Sequence, residues 1–199
     1  YPLASLCLHT EFSPLPGLTF RESLYNGVAS DRINRQFRFC PRSDGMFNIG
    51  SLSYHIGEED RHHGYYAVGY ALGSSPSETS ADKTFNYALW TLIEQPLLHV
   101  GESHLGAMWQ GGTSPASRST CRHYWGAGLI WSNIPPQMTQ VGLVVNRALY
   151  ADGRETDVEL TGSFPVCNHF TLQPAVHCIN TNGNYTAAAQ LRAILEFGN

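Results

Sequence analysis

The stretch TDVELTGSFPVCNHFTLQPAVHCIN, residues Thr156–Asn180, alternates apolar and polar side chains in two runs that a short connection joins. Successive side chains of a β-strand point to opposite faces of the sheet, so we predict a β-hairpin with one apolar and one polar face. The residues on its apolar face are Val158, Leu160, Phe164, Phe170, Leu172 and Val176. The nature of the layer that this apolar face contacts decides the fold.

The composition is that of one modest domain with few charges. The chain has 199 residues, of which 42% are hydrophobic and 14% charged, and its formal net charge is −4. This length accommodates a single domain over residues 1–199. No cluster of Lys and Arg is present that would predict a nucleic-acid partner.

The sequence has no apolar run near the ~20 residues that a membrane-spanning helix needs. A membrane β-barrel stays compatible with the sequence, because its strands are short and only half apolar. The chain begins with Tyr1-Pro2 and has no basic and hydrophobic leader, which we interpret as a processed product or a fragment.

Alternating runs recur along the whole chain, with turn signals every ~8–12 residues. We count about eleven strands and predict an all-β protein with a meander of antiparallel strands. The polar, Arg-rich segment Ala29–Asp44 interrupts the series and is predicted to be a long loop.

Alternation by itself does not separate a soluble β-sandwich from a membrane barrel. The runs Thr84–Ile93 and Arg154–Phe164 approach the ~9–11 residues of a tilted membrane strand. Aromatic residues gather near the ends of runs, as in the interfacial girdle of a barrel, and the connections vary in length. These features favour the barrel and leave the sandwich open.

Five segments, in this order, resemble successive strands of the carbohydrate-selective porin family, the OprB-like outer-membrane porins. They are SLYNG (Ser23–Gly27), LWTLIEQPLL (Leu89–Leu98), GAGLIWSNIPP (Gly126–Pro136), FTLQPAVHCIN (Phe170–Asn180) and QLRAILEF (Gln190–Phe197). The resemblance spans nearly the whole chain and matches the C-terminal portion of the family, whose complete members are longer.

This resemblance implies an antiparallel transmembrane β-barrel, or the C-terminal part of one that lacks its N-terminal strands. The implied location is the bacterial outer membrane, with lipid around the barrel and assembly into a homo-oligomer left open. The implied function is facilitated diffusion of mono- or small oligosaccharides through a water-filled lumen. Such a porin is not an enzyme, and it needs no cofactor, metal or catalytic residue.

The alternation also nominates the residues that would line the lumen and contact a sugar. Charged groups can bind vicinal hydroxyls through charge-assisted hydrogen bonds, and an indole can stack on the apolar side of a sugar ring. The predicted pore-lining residues are Arg21, Asn86, Trp90, Asn146, Glu159, Gln173, His177, Arg192 and Glu196.

Two alternatives from other classes remain at this stage. A soluble β-sandwich that binds carbohydrate or is secreted would bury the apolar face between two sheets. A metal-binding or enzymatic β-protein would use the cluster His55, Glu58, Glu59, Asp60 and His62-His63. Adjacent histidines in a strand point to opposite faces, so we expect a polar turn there instead of a metal site.

The five cysteines are irregularly spaced and predict no disulfide framework.

Overall fold

The structure is a computed structural model that describes residues 5–27, 37–57, 64–76, 83–115, 117, 119–135 and 138–196. Eleven strands and one short helix lie in these ranges. They are β1 (Cys7–Leu15), β2 (Leu18–Asn26), α1 (Pro41–Asp44), β3 (Met46–Ile56), β4 (Gly64–Pro76), β5 (Lys83–Val100), β6 (Ser103–Thr113), β7 (Cys121–Ile134), β8 (Met138–Tyr150), β9 (Arg154–Cys167), β10 (Phe170–Thr181) and β11 (Asn184–Leu195). None of the helical structure in these ranges has the length and hydropathy to span a membrane.

All eleven strands belong to one antiparallel sheet in the order of the sequence. Each strand pairs with the next one along the chain, from β1 with β2 to β10 with β11. The predicted meander and strand count are therefore confirmed. Within the described ranges no second sheet packs against the first, so the β-sandwich alternative is wrong.

The apolar residues of neighbouring strands share one face of the sheet, which we call the apolar face. Leu160 lies opposite both Leu143 of β8 and Val176 of β10. Leu160 is 54% exposed and Leu195, on the last strand, is 60% exposed. Exposed side chains of this size need a non-aqueous partner outside the sheet, since the described residues provide no covering layer here.

The opposite face, which we call the polar face, carries most of the buried side chains of the sheet. Ser53 and Ala67 lie directly opposite each other on β3 and β4 and are only 1% and 2% exposed. In a sheet without a second layer, small side chains become this inaccessible when neighbours on the same face crowd over them. The sheet therefore curves with its polar face inward.

The strand predicted over Thr84–Ile93 and the loop predicted over Ala29–Asp44 both differ in extent from the structure. β5 continues past Pro96 to Val100, with a register shift between Pro96 and Leu98 in its pairing with β6. Proline has no N–H for the ladder, so a shift of this kind lets the strand continue. In the predicted loop Ala29–Asp44, positions 29–36 lie outside the described residues, and Pro41–Asp44 form the short helix α1, with Pro41 near its start as is usual.

One carboxylate lies on the apolar face, at the middle of β2. Glu22 accepts hydrogen bonds from the Asn48 side-chain amide and from the Tyr70 hydroxyl, the latter at 2.9 Å to Oε2. Gly50 lies opposite both Glu22 and Tyr70, and a side chain there would collide with the Tyr70 ring at 2.8 Å. The glycine leaves the space in which this polar cluster satisfies its own hydrogen bonds.

The two rims of the sheet differ in their connections. The rim reached after β2, β4, β6, β8 and β10 has three connections longer than five residues, including residues 27–45. The opposite rim, reached after β1, β3, β5, β7 and β9, has one such connection, and three of its turns are only two residues long. We call them the long-connection rim and the short-connection rim.

Replacing Gly69 by Ala is expected to destabilise the sheet, because its Cβ would overlap the Trp90 ring and lie 2.7 Å from the Gly50 carbonyl oxygen. Overpacking of this kind costs about 1–3 kcal/mol. The matched control is Gly106→Ala on the same face, where the nearest atom would lie at 3.7 Å, an ordinary contact. Equilibrium urea unfolding of the refolded variants measures the difference, and equal losses for both would contradict the packing that we describe.

Candidate functional site

A chain of side-chain hydrogen bonds crosses the polar face from β6 to β8. The Gln110 amide donates to the Tyr124 hydroxyl at 2.6 Å, and that hydroxyl donates to Asn146 Oδ1 at 2.7 Å. Gly126 lies between Gln110 and Asn146 in the register, and a Cβ there would meet both of their side chains. The glycine thus leaves room for the three polar groups to meet above the backbone.

The polar row continues onto β9 and β10. Asp157 lies opposite Asn146, and Asp157 Oδ2 is 3.0 Å from His177 Nδ1. Glu159 lies directly opposite His177 on β10. We call the six residues Gln110, Tyr124, Asn146, Asp157, Glu159 and His177 the polar band.

Three members of the band form a compact group of potential ligand atoms. One atom each of Asp157, Glu159 and His177 lies within 4.8 Å of the other two, and all three side chains are half-buried. Asp157 Oδ1 is buried without a hydrogen-bond partner among the described residues. Carboxylate and imidazole groups at this spacing could hold a divalent cation or several hydroxyl groups of a polar solute. Of the cluster around His55 considered above, positions 58–63 lie outside the described residues.

Two more of the predicted pore-lining residues lie towards the centre of the sheet, on β5. Trp90 packs over Gly69 of β4, where the lack of a side chain lets the indole lie close to the sheet. The Asn86 amide donates to Ser119 Oγ at 3.3 Å. Asn86 also lines an open cavity of about 670 Å³ at the long-connection rim, together with Gly73, Ala88 and Ser119.

The remaining predicted residues lie near the two edges of the sheet. The Arg21 guanidinium pairs with Glu11 across β1 and β2 at 2.8 Å, and both side chains are exposed enough for solvent to weaken this ion pair. Arg192 of β11 donates to Gln173 of β10 at 3.5 Å. Glu196 follows β11, and its backbone N–H bonds to the His169 carbonyl oxygen at 3.0 Å.

The structure thus places the eight nominated strand residues on the polar face and brings three of them, Asn146, Glu159 and His177, into one band. The sequence prediction missed Gln110, Tyr124 and Asp157. Asp157 shares its face with Glu159 in the alternating run and could have been nominated by the same rule. Gln110 and Tyr124 become neighbours of Asn146 only once the register of β6, β7 and β8 is known.

Neither a protein-family model nor a curated protein sequence matches the chain. Among solved structures, the chain is similar to the high-pH structure of Pseudomonas putida OprB. The TM-score is 0.73, and the match covers 98% of this chain with 13% sequence identity.

The chain has the fold of OprB. At 13% identity the likeness concerns the fold alone, and it confirms the porin-like β-barrel architecture that the sequence resemblance predicts. The chain spans 58% of the OprB chain, which agrees with an eleven-stranded sheet that corresponds to part of the barrel.

Replacing Tyr124 by Phe is expected to lower the free energy of unfolding by about 1–3 kcal/mol, because the Gln110 amide loses its acceptor and Asn146 Oδ1 its donor. The control is Tyr87→Phe on the apolar face, where the hydroxyl has no hydrogen bond to the described residues and the change should be near neutral. Urea unfolding followed by Trp fluorescence measures both. A neutral Tyr124→Phe would mean that the polar band is not held together through this hydroxyl.

Proposed function

We propose that the chain is part of an outer-membrane porin that passes sugars through a water-filled lumen by facilitated diffusion. The observation that carries this proposal is the separation of the two faces over all eleven strands, in a sheet with the OprB fold. Most of the large exposed apolar side chains lie on the proposed outer face, and the polar band lies on the proposed inner face.

The proposed neighbour of the apolar face is hydrocarbon. The strands have 9 to 18 residues, and ~9–11 are enough to cross a bilayer at the usual tilt. In lipid every backbone N–H and C=O must pair within the protein, which a sheet can achieve only when it closes into a barrel. A soluble carbohydrate-binding domain would leave Leu160, Val176 and Leu195 in water.

Closing the sheet into a barrel requires strands beyond the eleven described here. Within the described ranges β1 pairs only with β2, and β11 only with β10, so each presents a free edge. We infer that strands N-terminal to β1 complete the barrel, as the comparison with the longer OprB chain supports. The two free edges would then pair with the added strands, and no backbone ladder would remain open to lipid.

The rims give the proposed orientation. Outer-membrane barrels have short turns on the periplasmic side and longer loops on the outside. The long-connection rim would therefore face the exterior, and the cavity lined by Asn86 and Ser119 would lie near the outer mouth of the pore.

The polar band provides the proposed contacts with a sugar. Its amide, hydroxyl, imidazole and carboxylate groups can replace part of the hydration shell of a sugar without forming a covalent bond. Trp90 lies on the same face and presents an apolar surface for the ring. A passage of this kind uses binding groups alone, so the mechanism requires no enzymatic step, cofactor or energy source.

The test uses the protein at the length in which the cell makes it, purified in detergent and reconstituted in planar bilayers. We expect ion conductance that maltose or glucose partly blocks, together with heat-modifiable migration on gels. Removing the stacking surface by Trp90→Ala should weaken the sugar block about two- to tenfold. The ion conductance should remain, because the lumen becomes no narrower.

The matched control is Trp131→Ala, which removes an indole that is 49% exposed on the apolar face. Sugar block in this variant should equal that of the wild type. Equal loss in both variants would disprove a lumenal role for Trp90. A protein that stays folded and monomeric in plain buffer without detergent would disprove the proposal that the chain is part of a porin.

A further inference from the structure

A basic groove lies on the apolar face, where β8, β9, β10 and β11 reach the long-connection rim. Its walls include Arg147, Arg154, Asn180 and Tyr185, and its volume is about 380 Å³. The register explains the arrangement, since Tyr185, Asn180, Thr156 and Arg147 lie opposite one another in a single row across the four strands. Arg154 lies two positions nearer the rim than Thr156, on the same face.

The two guanidiniums in this groove have no anionic partner within the described part of the chain. The ion pairs of that part involve Arg21, Arg38 and His177, and none involves Arg147 or Arg154. Asp157 and Glu155, the acidic residues of β9 nearest to the groove, belong to the polar face and bond to His177 and Thr181 there. Asp152 lies in the turn after β8 without an ion pair to either arginine.

The residues of the groove change from polar to apolar with increasing distance from the long-connection rim. Val158 and Cys178 lie opposite each other one row further from the rim and also line the groove. Beyond them the face continues with Leu160 and Val176, which are both more than half exposed. Towards the adjacent strand β7, the row of Arg147 continues into Trp125, whose ring stacks on Trp109 at 5.9 Å. Indole and phenol rings at this height mark the level of lipid headgroups in a barrel.

We propose that this groove binds the anionic headgroup of a membrane lipid, with a phosphate group held between Arg147 and Arg154. The inference rests on the proposed function, because the apolar face must lie in a bilayer for a lipid to reach the groove. Guanidinium groups bind phosphate oxygens through paired, charge-assisted hydrogen bonds. The Asn180 amide, the Thr156 hydroxyl and the Tyr185 hydroxyl offer further donors to the same headgroup.

A lipid fits this groove better than free phosphate does, because of the apolar rows below the arginines. An acyl chain that descends from the headgroup would run over Val158 and then over Leu160 and Val176. Free phosphate would gain nothing from these side chains. The long-connection rim is the proposed exterior side, so the ligand would be a phosphorylated lipid of the outer leaflet.

Native mass spectrometry of the full-length protein in a neutral detergent tests the proposal. The probes are diphosphoryl lipid A, phosphatidylcholine as the zwitterionic reference, and inorganic phosphate as competitor. We expect wild type to retain lipid A in preference to phosphatidylcholine. Loss of each arginine charge near a membrane surface should weaken this preference about fivefold, so Arg147→Gln with Arg154→Gln should weaken it about thirtyfold.

Two control variants separate lipid binding from damage to the fold. Arg147→Lys with Arg154→Lys keeps both charges and should keep most of the preference. Arg192→Gln removes an arginine from the polar face and should leave lipid A retention unchanged. Equal retention of lipid A and phosphatidylcholine by wild type, or equal loss in Arg192→Gln, would overturn the inference. Displacement of lipid A by millimolar phosphate would show that the ligand is the free anion instead.

The failure of this inference is distinguishable from the failure of the porin proposal. A protein that shows heat-modifiable migration and sugar-blocked conductance but has no preference for lipid A refutes the proposed lipid binding alone. A protein that neither enters detergent micelles nor conducts in bilayers refutes both.

Discussion

The alternation of side chains, kept in register across eleven strands, is the constraint on which every other feature of this chain depends. A sheet without a second layer has no interior of the ordinary kind, so its stability requires a different environment for each face. The ladder of β9, β10 and β11 keeps Leu160, Val176 and Ala189 on one side and Glu159, His177 and Ala188 on the other. A slip of one residue between two paired strands would move every side chain of one strand to the other face. The alternating pattern therefore specifies the register strongly.

The fold could be predicted from the sequence because this constraint is local. Period-two alternation appears in each run separately, and short connections between runs predict antiparallel neighbours. The candidate site could be predicted only in part, because its groups meet through the register. The hydrogen bonds from Gln110 through Tyr124 to Asn146 join three strands, and nothing in any one run indicates how far its neighbours are shifted. The register shift between Pro96 and Leu98 in the pairing of β5 with β6 escaped prediction for a similar reason.

Residues without side chains determine where large polar groups can lie. Gly69 makes room for Trp90, Gly126 for the side chains of Gln110 and Asn146, and Gly50 for the Tyr70 ring beside Glu22. The last case shows how the apolar face tolerates a carboxylate near the middle of a strand. Glu22 receives donors from β3 and β4, so its oxygens are not left unpaired when water is absent. A hydrophobic side chain at position 50 would remove this arrangement as well as the space.

The two proposed ligands meet opposite faces of the same strands. Asn146 and Arg147 are neighbours on β8, as Thr156 and Asp157 are on β9, yet one member of each pair belongs to the polar band and the other to the basic groove. The amide, hydroxyl, imidazole and carboxylate groups of the polar band suit the proposed lumen, through which a neutral sugar must pass without being held. Guanidiniums without an ion pair to any described residue suit the proposed outer face, where a lipid phosphate could remain bound. A tightly bound headgroup at Arg147 and Arg154 would fix the end of β8 and the start of β9 from the apolar face. Through the shared backbone it would also hold Asn146 and Asp157 in place within the proposed lumen.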